Sequence, residues 1–332
     1  MDINVNAYKN RQVLITGGLG FIGSNLARRL VGLGAKVTLV DSLIPCYGGN
    51  LFNIADIKEE VCVNISDVRD PYSMEYLIKG KDFLFNLAGQ SGHLSSMSDP
   101  QNDLDINAAA QLSILESCRK YDSKVKLVFA STRQVYGKPE YLPVDELHPI
   151  RPLDVNGINK IAGESYHLLY NHIYGIQACA LRLTNTYGPG MRVKDSRQTF
   201  LGIWLKLLLE GKPIKVFGDG QQLRDFNFVD DCVDALLLAG SSEKSNGKIF
   251  NLGSTEVISL KDLAEMMLQL GYEGSYELIP FPEERKAIDI GDYYGDFSLI
   301  NNELGWSPKV GLKEGLIKTI EYYKANGKYY WE

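Results

Sequence analysis

Between Arg11 and about Arg182, short runs rich in Val, Leu and Ile alternate with longer stretches in which apolar residues recur every three or four positions. The runs cover 12–15, 36–40, 83–86, 126–130 and 177–182. They are too short for helices, and their near-continuous apolarity predicts parallel strands buried on both faces. The intervening stretches predict helices over 23–32, 105–121 and 159–174, each with one apolar stripe to lay on a sheet. This alternation is that of an α/β chain with a doubly wound parallel sheet. Beyond Gly188-Pro189 the rhythm changes to a helix over 199–209, a short strand over 215–217, a helix over 231–240 and helical stretches from Leu260 and from Leu312. We divide the chain into a sheet domain, 1–183 with about 226–257, and a smaller mixed α/β lobe, 184–225 and 258–332. The alternative is that the later segments only cap the sheet.

The first strand runs into Gly17-Gly18-Leu19-Gly20-Phe21-Ile22-Gly23 and then into a helix. In this strand–turn–helix setting, a G-x-x-G-x-x-G spacing is a variant of the dinucleotide fingerprint of a Rossmann-type sheet. Gly17 allows the tight turn, Gly20 lets the backbone approach a pyrophosphate, and Gly23 packs helix against strand, with Phe21 and Ile22 between them. The helix N-terminus adds amides and positive potential. Asp41, followed by Ser42, ends the second strand 18 residues after Gly23, where the fingerprint places an acid on the adenosine ribose. Such an acid repels the extra phosphate of NADP, so the expected cofactor is NAD. The plainer reading of Asp41 is that it starts a turn.

Composition narrows the partners. Lys and Arg total 35 against 41 Asp and Glu, a net charge of -6, which offers no general attraction to nucleic acid or anionic lipid. No apolar run approaches the roughly 18 residues of a membrane span, and the first ten residues lack a signal-peptide core. A cytoplasmic protein is expected, binding neither nucleic acid nor membrane. The 5 cysteines show no CxxC or zinc-like spacing, so we expect reduced thiols and no metal site.

Five further segments extend the pattern: Ser66-Asp67-Val68-Arg69-Asp70, Asn86-Leu87-Ala88-Gly89-Gln90, Ser131-Thr132-Arg133-Gln134-Val135-Tyr136-Gly137, Asn185-Thr186-Tyr187-Gly188-Pro189, and 217–226. With them the chain resembles, over nearly its whole length, the extended short-chain dehydrogenase/reductases, specifically the UDP-glucose 4-epimerase-like nucleotide-sugar epimerase and dehydratase family. The resemblance implies that Asp67 and Val68 meet the adenine and that Leu87, Ala88 and Gly89 line the path to the nicotinamide. Asn185, Phe217, Arg224 and Arg285 match positions that hold a nucleoside-diphosphate sugar. Guanidinium groups suit phosphate, and an aromatic ring can stack on a base; surface salt bridges are the plainer reading of the two arginines. Family members are often homodimers, here through 105–121 and 159–174, and the competing reading is that those stripes face only the sheet.

The resemblance also exposes an anomaly. The family places a Tyr four residues before a Lys as acid/base, with a Ser or Thr on the same sugar oxygen. Here the Lys is Lys160 and the hydroxyl is Thr132, but the Tyr position holds Asn156. A carboxamide hydrogen-bonds but does not exchange protons near neutrality. Three explanations stand. Another side chain moves the proton, with His93, Tyr136 or a tyrosine of Asp292-Tyr293-Tyr294 as candidates. Alternatively less basic power is needed, Lys160 and water sufficing, or the chain only binds. Asn156 is expected to face the sugar. Dehydratases carry Asp-Glu where this chain has Arg133-Gln134, so dehydration is disfavoured, and Arg133 either reads an anionic group on the sugar or forms a structural ion pair. The leading expectation is an NAD-dependent epimerase acting on a nucleoside-diphosphate hexose through a transient keto-sugar. A ketoreductase or dehydrogenase is the alternative, as is a non-catalytic NAD- and nucleotide-sugar-binding protein.

Overall fold

The computed structural model describes residues 5–44, 46–195, 199–270 and 274–331. Twelve strands occur among them: β1 (Gln12–Thr16), β2 (Lys36–Asp41), β3 (Val61–Ile65), β4 (Phe83–Asn86), β5 (Lys126–Thr132), β6 (Ala178–Leu183), β7 (Asn185–Tyr187), β8 (Ile214–Phe217), β9 (Leu223–Phe228), β10 (Ile249–Asn251), β11 (Val257–Ser259) and β12 (Tyr276–Ile279). Seven of them form one parallel sheet in the order β10-β6-β5-β4-β1-β2-β3. The central strands are buried along almost their whole length, as their unbroken apolar runs require. The edge strand β3 alternates in exposure and includes Asn64, and that is why it lacks the same sequence signature.

The helices that matter for the site are α1 (Phe21–Gly32), α2 (Pro71–Ile78), α3 (His93–Ser98), α4 (Pro100–Leu104), α5 (Ala110–Tyr121) and α6 (Val155–Tyr174). One face of the sheet packs Leu14, Val40 and Leu84 against α2, α5 and α6 through Leu77, Leu115 and Tyr170. The opposite face packs Val13, Ile15 and Val128 against α1 and the helix Val229–Ser241. This second core continues without a break into the C-terminal region, through Leu201, Trp204, Leu263 and Leu316. There β11, β9 and β7 form a three-stranded sheet and β12 pairs in parallel with β8. Residues 226–228 thus pair within the smaller sheet, while β10 joins the large one.

Sequence periodicity over 105–121 merges two conformations. Asp105–Ala109 is a π-helical turn, and regular α-helix begins only at Ala110. Such single wide turns occur frequently at functional sites. α6 begins two residues past the Pro152-Leu153 pair, where Asp154 accepts a 2.7 Å hydrogen bond from the Gly157 amide, and it ends at Gly175 in the left-handed conformation.

Behind the sheet's carboxyl edge lies a buried ion pair. Glu164 on α6 and Arg182 on β6 approach to 2.5 Å with side chains only 1% and 3% exposed. Ser131 Oγ donates to the same carboxylate at 2.7 Å, and Arg182 Nη1 donates to Tyr136 Oη at 2.7 Å. The pair therefore ties β5, β6 and α6 together. Replacing Glu164 by Ala leaves the guanidinium without its counter-charge, and we expect a loss of about 3–5 kcal/mol in urea unfolding. A loss below about 1 kcal/mol would show that Arg182 is compensated elsewhere.

Candidate functional site

The order of the large sheet reverses between β1 and β4, and a crevice opens at the strands' carboxyl ends there. Its floor is the glycine turn. Gly17 has φ +69°, and a β-carbon on it would come within 3.0 Å of the Ala88 nitrogen at the end of β4. A β-carbon on Gly23 would lie 2.2 Å from the Gly17 carbonyl oxygen, so α1 can start against the strand only without a side chain at this position. Gly20 is the N-cap of α1 and offers no side-chain cap, leaving the first-turn amides of Phe21 and Ile22 for a ligand.

Asp41, at the end of β2, stands over this turn. Its Oδ2 accepts the Leu19 amide at 3.1 Å and its Oδ1 the Leu43 amide at 2.9 Å. Burial pushes its carboxyl up, and the two amides hold it partly back. A carboxylate offers about four acceptor sites, so hydroxyl groups of a ribose can still be taken. Ser42 follows, half-buried. Beyond β3, Val68 is buried, while Asp67 accepts from Arg69 through its backbone amide, Nε and Nη2, which pull the carboxyl down. Beyond β4, the Leu87 and Ala88 amides each donate to Thr16 Oγ1 at 3.1 Å. A β-carbon on Gly89 would come within 2.8 Å of Lys160 Nζ and 2.9 Å of Asn107 Oδ1, so this glycine gives both groups access to the crevice. These residues, and the turn stripped of side chains, fit a dinucleotide lying across the reversal point.

The second wall carries the candidate chemistry. Thr132 ends β5, and its Oγ1 accepts the Gln134 amide at 3.2 Å. Lys160 is 7% exposed and donates to the Ala130 carbonyl at 3.0 Å. Burial lowers its pKa to about 8, against a smaller opposing pull from Asp103. Asn156 corrects the expectation of a side chain projecting toward a sugar. It is 2% exposed, and its Nδ2 donates to the Gln90 carbonyl at 2.7 Å and to Asp103 Oδ2 at 3.1 Å. A carboxamide is too short to reach where a phenol would, and its buried donors find partners close by. Asn159 Nδ2 donates to the other Asp103 oxygen at 2.8 Å. His93 opens α3 with Nδ1 2.8 Å from Asp154 Oδ2.

Sequence reasoning missed four of these partners: Asp103, Asn107, Asp154 and Gln90. Asn107 lies in the π-turn, its Nδ2 donating 2.9 Å to the Gln90 carbonyl and its Oδ1 buried without a partner. Asp154 was legible as a helix cap, but its pairing with His93 spans 61 residues and leaves no local signal.

A third group lies toward the smaller sheets. Arg133 Nη2 donates to Asn185 Oδ1 at 3.0 Å, its guanidinium sits 4.9 Å from the Tyr293 ring centre, and its Nη1 is buried without a partner. Arg224, 6% exposed, donates to the Leu223 and Gly291 carbonyls at 2.8 and 2.5 Å, and its nearest carboxylate, Asp289, is 3.8 Å away. Burial and then the neighbouring Arg133 lower its pKa to about 10. Phe217 ends β8, 5.6 Å from the Arg285 guanidinium and 5.4 Å from Phe281. The under-compensated guanidinium groups of Arg133 and Arg224 suit an anion, and the Phe217–Phe281 pair offers rings on which a flat group can stack. Among the described residues no group of three or more His, Cys, Asp or Glu side chains is placed to hold a metal, and no helix is long and apolar enough to cross a membrane.

Residues 13–253 match the family described as NAD dependent epimerase/dehydratase. The chain belongs to that family. A UDP-glucose 4-epimerase of Mycolicibacterium smegmatis is 31% identical over 314 residues, 94% of this chain and 98% of the relative. The Thermotoga maritima UDP-glucose 4-epimerase, solved with UDP-glucose, superposes with a TM-score of 0.86 at 30% identity, over 95% of this chain and 99% of that one. The Thermus thermophilus UDP-glucose 4-epimerase, solved with NAD, gives a TM-score of 0.84 at 29% identity, over 94% and 99% of the two chains. The α/β fold with its parallel sheet is that of these enzymes, and the family's cofactor is NAD.

Two expectations follow from the crevice. Gly23→Ala should reduce NAD affinity, measured by calorimetry, by at least about tenfold, because α1 must shift away from the turn. Unchanged affinity would place NAD elsewhere. In the NAD-free protein the lowered Lys160 pKa means that the folded state binds fewer protons than the unfolded state between about 8 and 10.5. Stability from this group therefore rises with pH across that window. Lys160→Met should lack that rise, so the wild-type and variant unfolding free energies should diverge across the window, and parallel pH profiles would refute the assignment.

Proposed function

We propose that this chain is an NAD-dependent nucleotide-sugar epimerase that oxidises a nucleoside-diphosphate hexose to a transient keto-sugar and returns the hydride to the opposite face. The observation that carries this reading is the meeting of two sets of groups at one strand edge. The glycine turn with Asp41 lies on one side, and Thr132 with the buried Lys160 lies on the other. NAD supplies the hydride chemistry when bound; the protein supplies position and charge. Gly17, Gly20, Gly23, Phe21 and Ile22 would cradle the pyrophosphate, Asp41 and Ser42 the ribose, and Asp67 and Val68 the adenine. Leu87, Ala88 and Gly89 would border the nicotinamide.

Thr132 Oγ1 accepts from Gln134, which leaves its proton to donate to the sugar oxygen at the reacting carbon. Lys160 would hold the nicotinamide ribose and place positive charge where an alkoxide develops. Asn156, with its donors taken, fixes the Gln90 loop beside the sugar. Asn185 and Arg224 would hold the diphosphate, with Phe217 and Arg285 around the base, and the unpaired Nη1 of Arg133 would take a further anionic oxygen of the substrate. Arg133 and Gln134 offer no proton-transfer pair for eliminating water, which supports epimerisation over dehydration. Leu112, Leu169 and Ile173 are exposed on α5 and α6, and this supports a homodimer through those helices.

The test is incubation with NAD and a panel of UDP-glucose, UDP-galactose, UDP-glucuronate and UDP-N-acetylglucosamine, followed by proton NMR of the sugars. Conversion of at least one member to its epimer is expected. Absence of product and of substrate-hydrogen exchange across the panel would leave only a binding protein. With the active sugar, Thr132→Val and Lys160→Ala should each lower turnover by roughly a hundredfold or more. Arg133→Ala should weaken sugar binding roughly tenfold to hundredfold, the scale of a charged hydrogen bond.

A further inference from the structure

Three polar features of the site lack a complete set of partners: Arg133 Nη1, Asn107 Oδ1 and the His93–Asp154 contact. The third carries furthest because it answers the absence of a phenol at position 156. We propose that His93, oriented by Asp154, is the group that takes and returns the sugar's hydroxyl proton. This rests on the epimerase reading above and adds the residue that performs its proton transfer.

The Asp154 side chain is fully buried, and a carboxylate there needs a reason. Capping α6 explains only Oδ1, which accepts the Gly157 amide, and an uncharged Ser or Thr would serve that purpose. Oδ2 faces two groups, Gln134 Nε2 at 3.1 Å and His93 Nδ1 at 2.8 Å. Among the described residues His93 is the only basic side chain within ion-pair distance of it. The contact is close although its angle falls short of ideal, and catalytic hydrogen bonds are frequently misaligned before substrate arrives. Burial works to raise the Asp154 carboxyl, but His93, Gly157 and Gln134 together outweigh it, so the group stays an anion.

The dyad stands on the catalytic wall. Gln134, its second partner, belongs to the 3₁₀ turn Arg133–Tyr136 that Thr132 caps. α3, which His93 opens, abuts α6 through Ser96 Oγ, which accepts the Asn156 amide at 3.2 Å. The Gly89–Gly92 loop that leads to it is pinned by Asn107 and Asn156 on the Gln90 carbonyl. His93 keeps a side-chain exposure of 36%, so the ring is open to a ligand. In the proposed dyad Nδ1–H faces Asp154, which leaves Nε2 as a bare acceptor. As the sugar carbon loses its hydride to the cofactor, the hydroxyl proton passes to Nε2, leaving a carbonyl and an imidazolium balanced by Asp154. When hydride returns, the imidazolium gives that proton back to the oxygen.

The test uses the full-length protein labelled with ¹⁵N-histidine, with His93 identified by its absence in His93→Gln. The wild-type ring should be the Nδ1–H tautomer when neutral, and Asp154→Asn, which presents an amide donor to Nδ1, should invert it to Nε2–H. A wild-type Nε2–H ring, or a tautomer indifferent to Asp154→Asn, overturns the dyad whether or not any sugar is turned over. On the panel sugar that the wild type converts, His93→Gln should lower kcat by roughly a hundredfold to ten-thousandfold with KM within a few-fold. Imidazole added to His93→Ala should restore part of that loss. Turnover within threefold of wild type in His93→Gln overturns the proposal while leaving the epimerase reading intact. Conversion of no panel sugar overturns the epimerase reading, and the ring tautomer then decides the dyad alone.

Discussion

The hydroxyl of Thr16, at the last position of β1, holds the crevice open. It donates to Asn86 Oδ1 at 2.8 Å and accepts the Leu87 and Ala88 amides, so the ends of the two strands on either side of the reversal point are fixed to one oxygen. Both strands feed helices or loops that diverge to opposite sides there, and a crevice cannot be filled by the chain itself. The same constraint propagates inward. Asn86 Nδ2 donates to Gln111 Oε1 at 2.6 Å, and Gln111 Nε2 donates to the Ile106 carbonyl at 2.9 Å, inside the π-turn. That wide turn aims Asn107 at the Gln90 carbonyl, so buried hydrogen bonds and the Ile106–Asn107 peptide link connect the end of β1 to the wall that carries Asn156.

The Asn at position 156 is accommodated by this network rather than left as a hole. The Gln90 carbonyl receives two carboxamides, from Asn107 and Asn156, and Asp103 receives two more donors, from Asn156 and Asn159. Asp103 is thus hydrogen-bonded on both oxygens, and its field partly offsets the burial that depresses Lys160. A tyrosine at this position would have to displace both bonds of Asn156 and leave one Asp103 oxygen bare. Asn156 is therefore a component of the wall, held by the same network that fixes the Gln90 carbonyl and Asp103.

How much of this was written in the sequence depends on range. The central strands and the glycine turn were legible because burial on both faces and a local turn each leave contiguous marks, at 12–15 and at Gly17, Gly20 and Gly23. The edge strand β3 and the small strands β7 and β11 left none, since half-exposed or three-residue elements have no period to read, and the buried β9 was hidden because Arg224, Asp225 and Asn227 break its apolar run. Segment matching drew Thr132, Lys160 and Arg133 toward one region, but it could not show which polar atoms face one another. Asp154–His93 and Asn107–Gln90 are contacts between elements, set by how α3, the π-turn and α6 pack, and only the fold specifies them.

The chain is acidic overall at -6, yet Arg133, Arg224 and Lys160 are brought to one edge, and burial depresses the pKa of all three. Asp225, buried beside Arg133, is bound by Thr184 and by the Gly295 amide, and so offers only part of the needed counter-charge. Cations held out of water without full compensation cost stability, and that cost falls when an anion arrives. An uncharged ligand would not relieve it; an anionic one would. The polarity of this edge thus suits an anionic ligand over an uncharged one, although the chain as a whole is acidic.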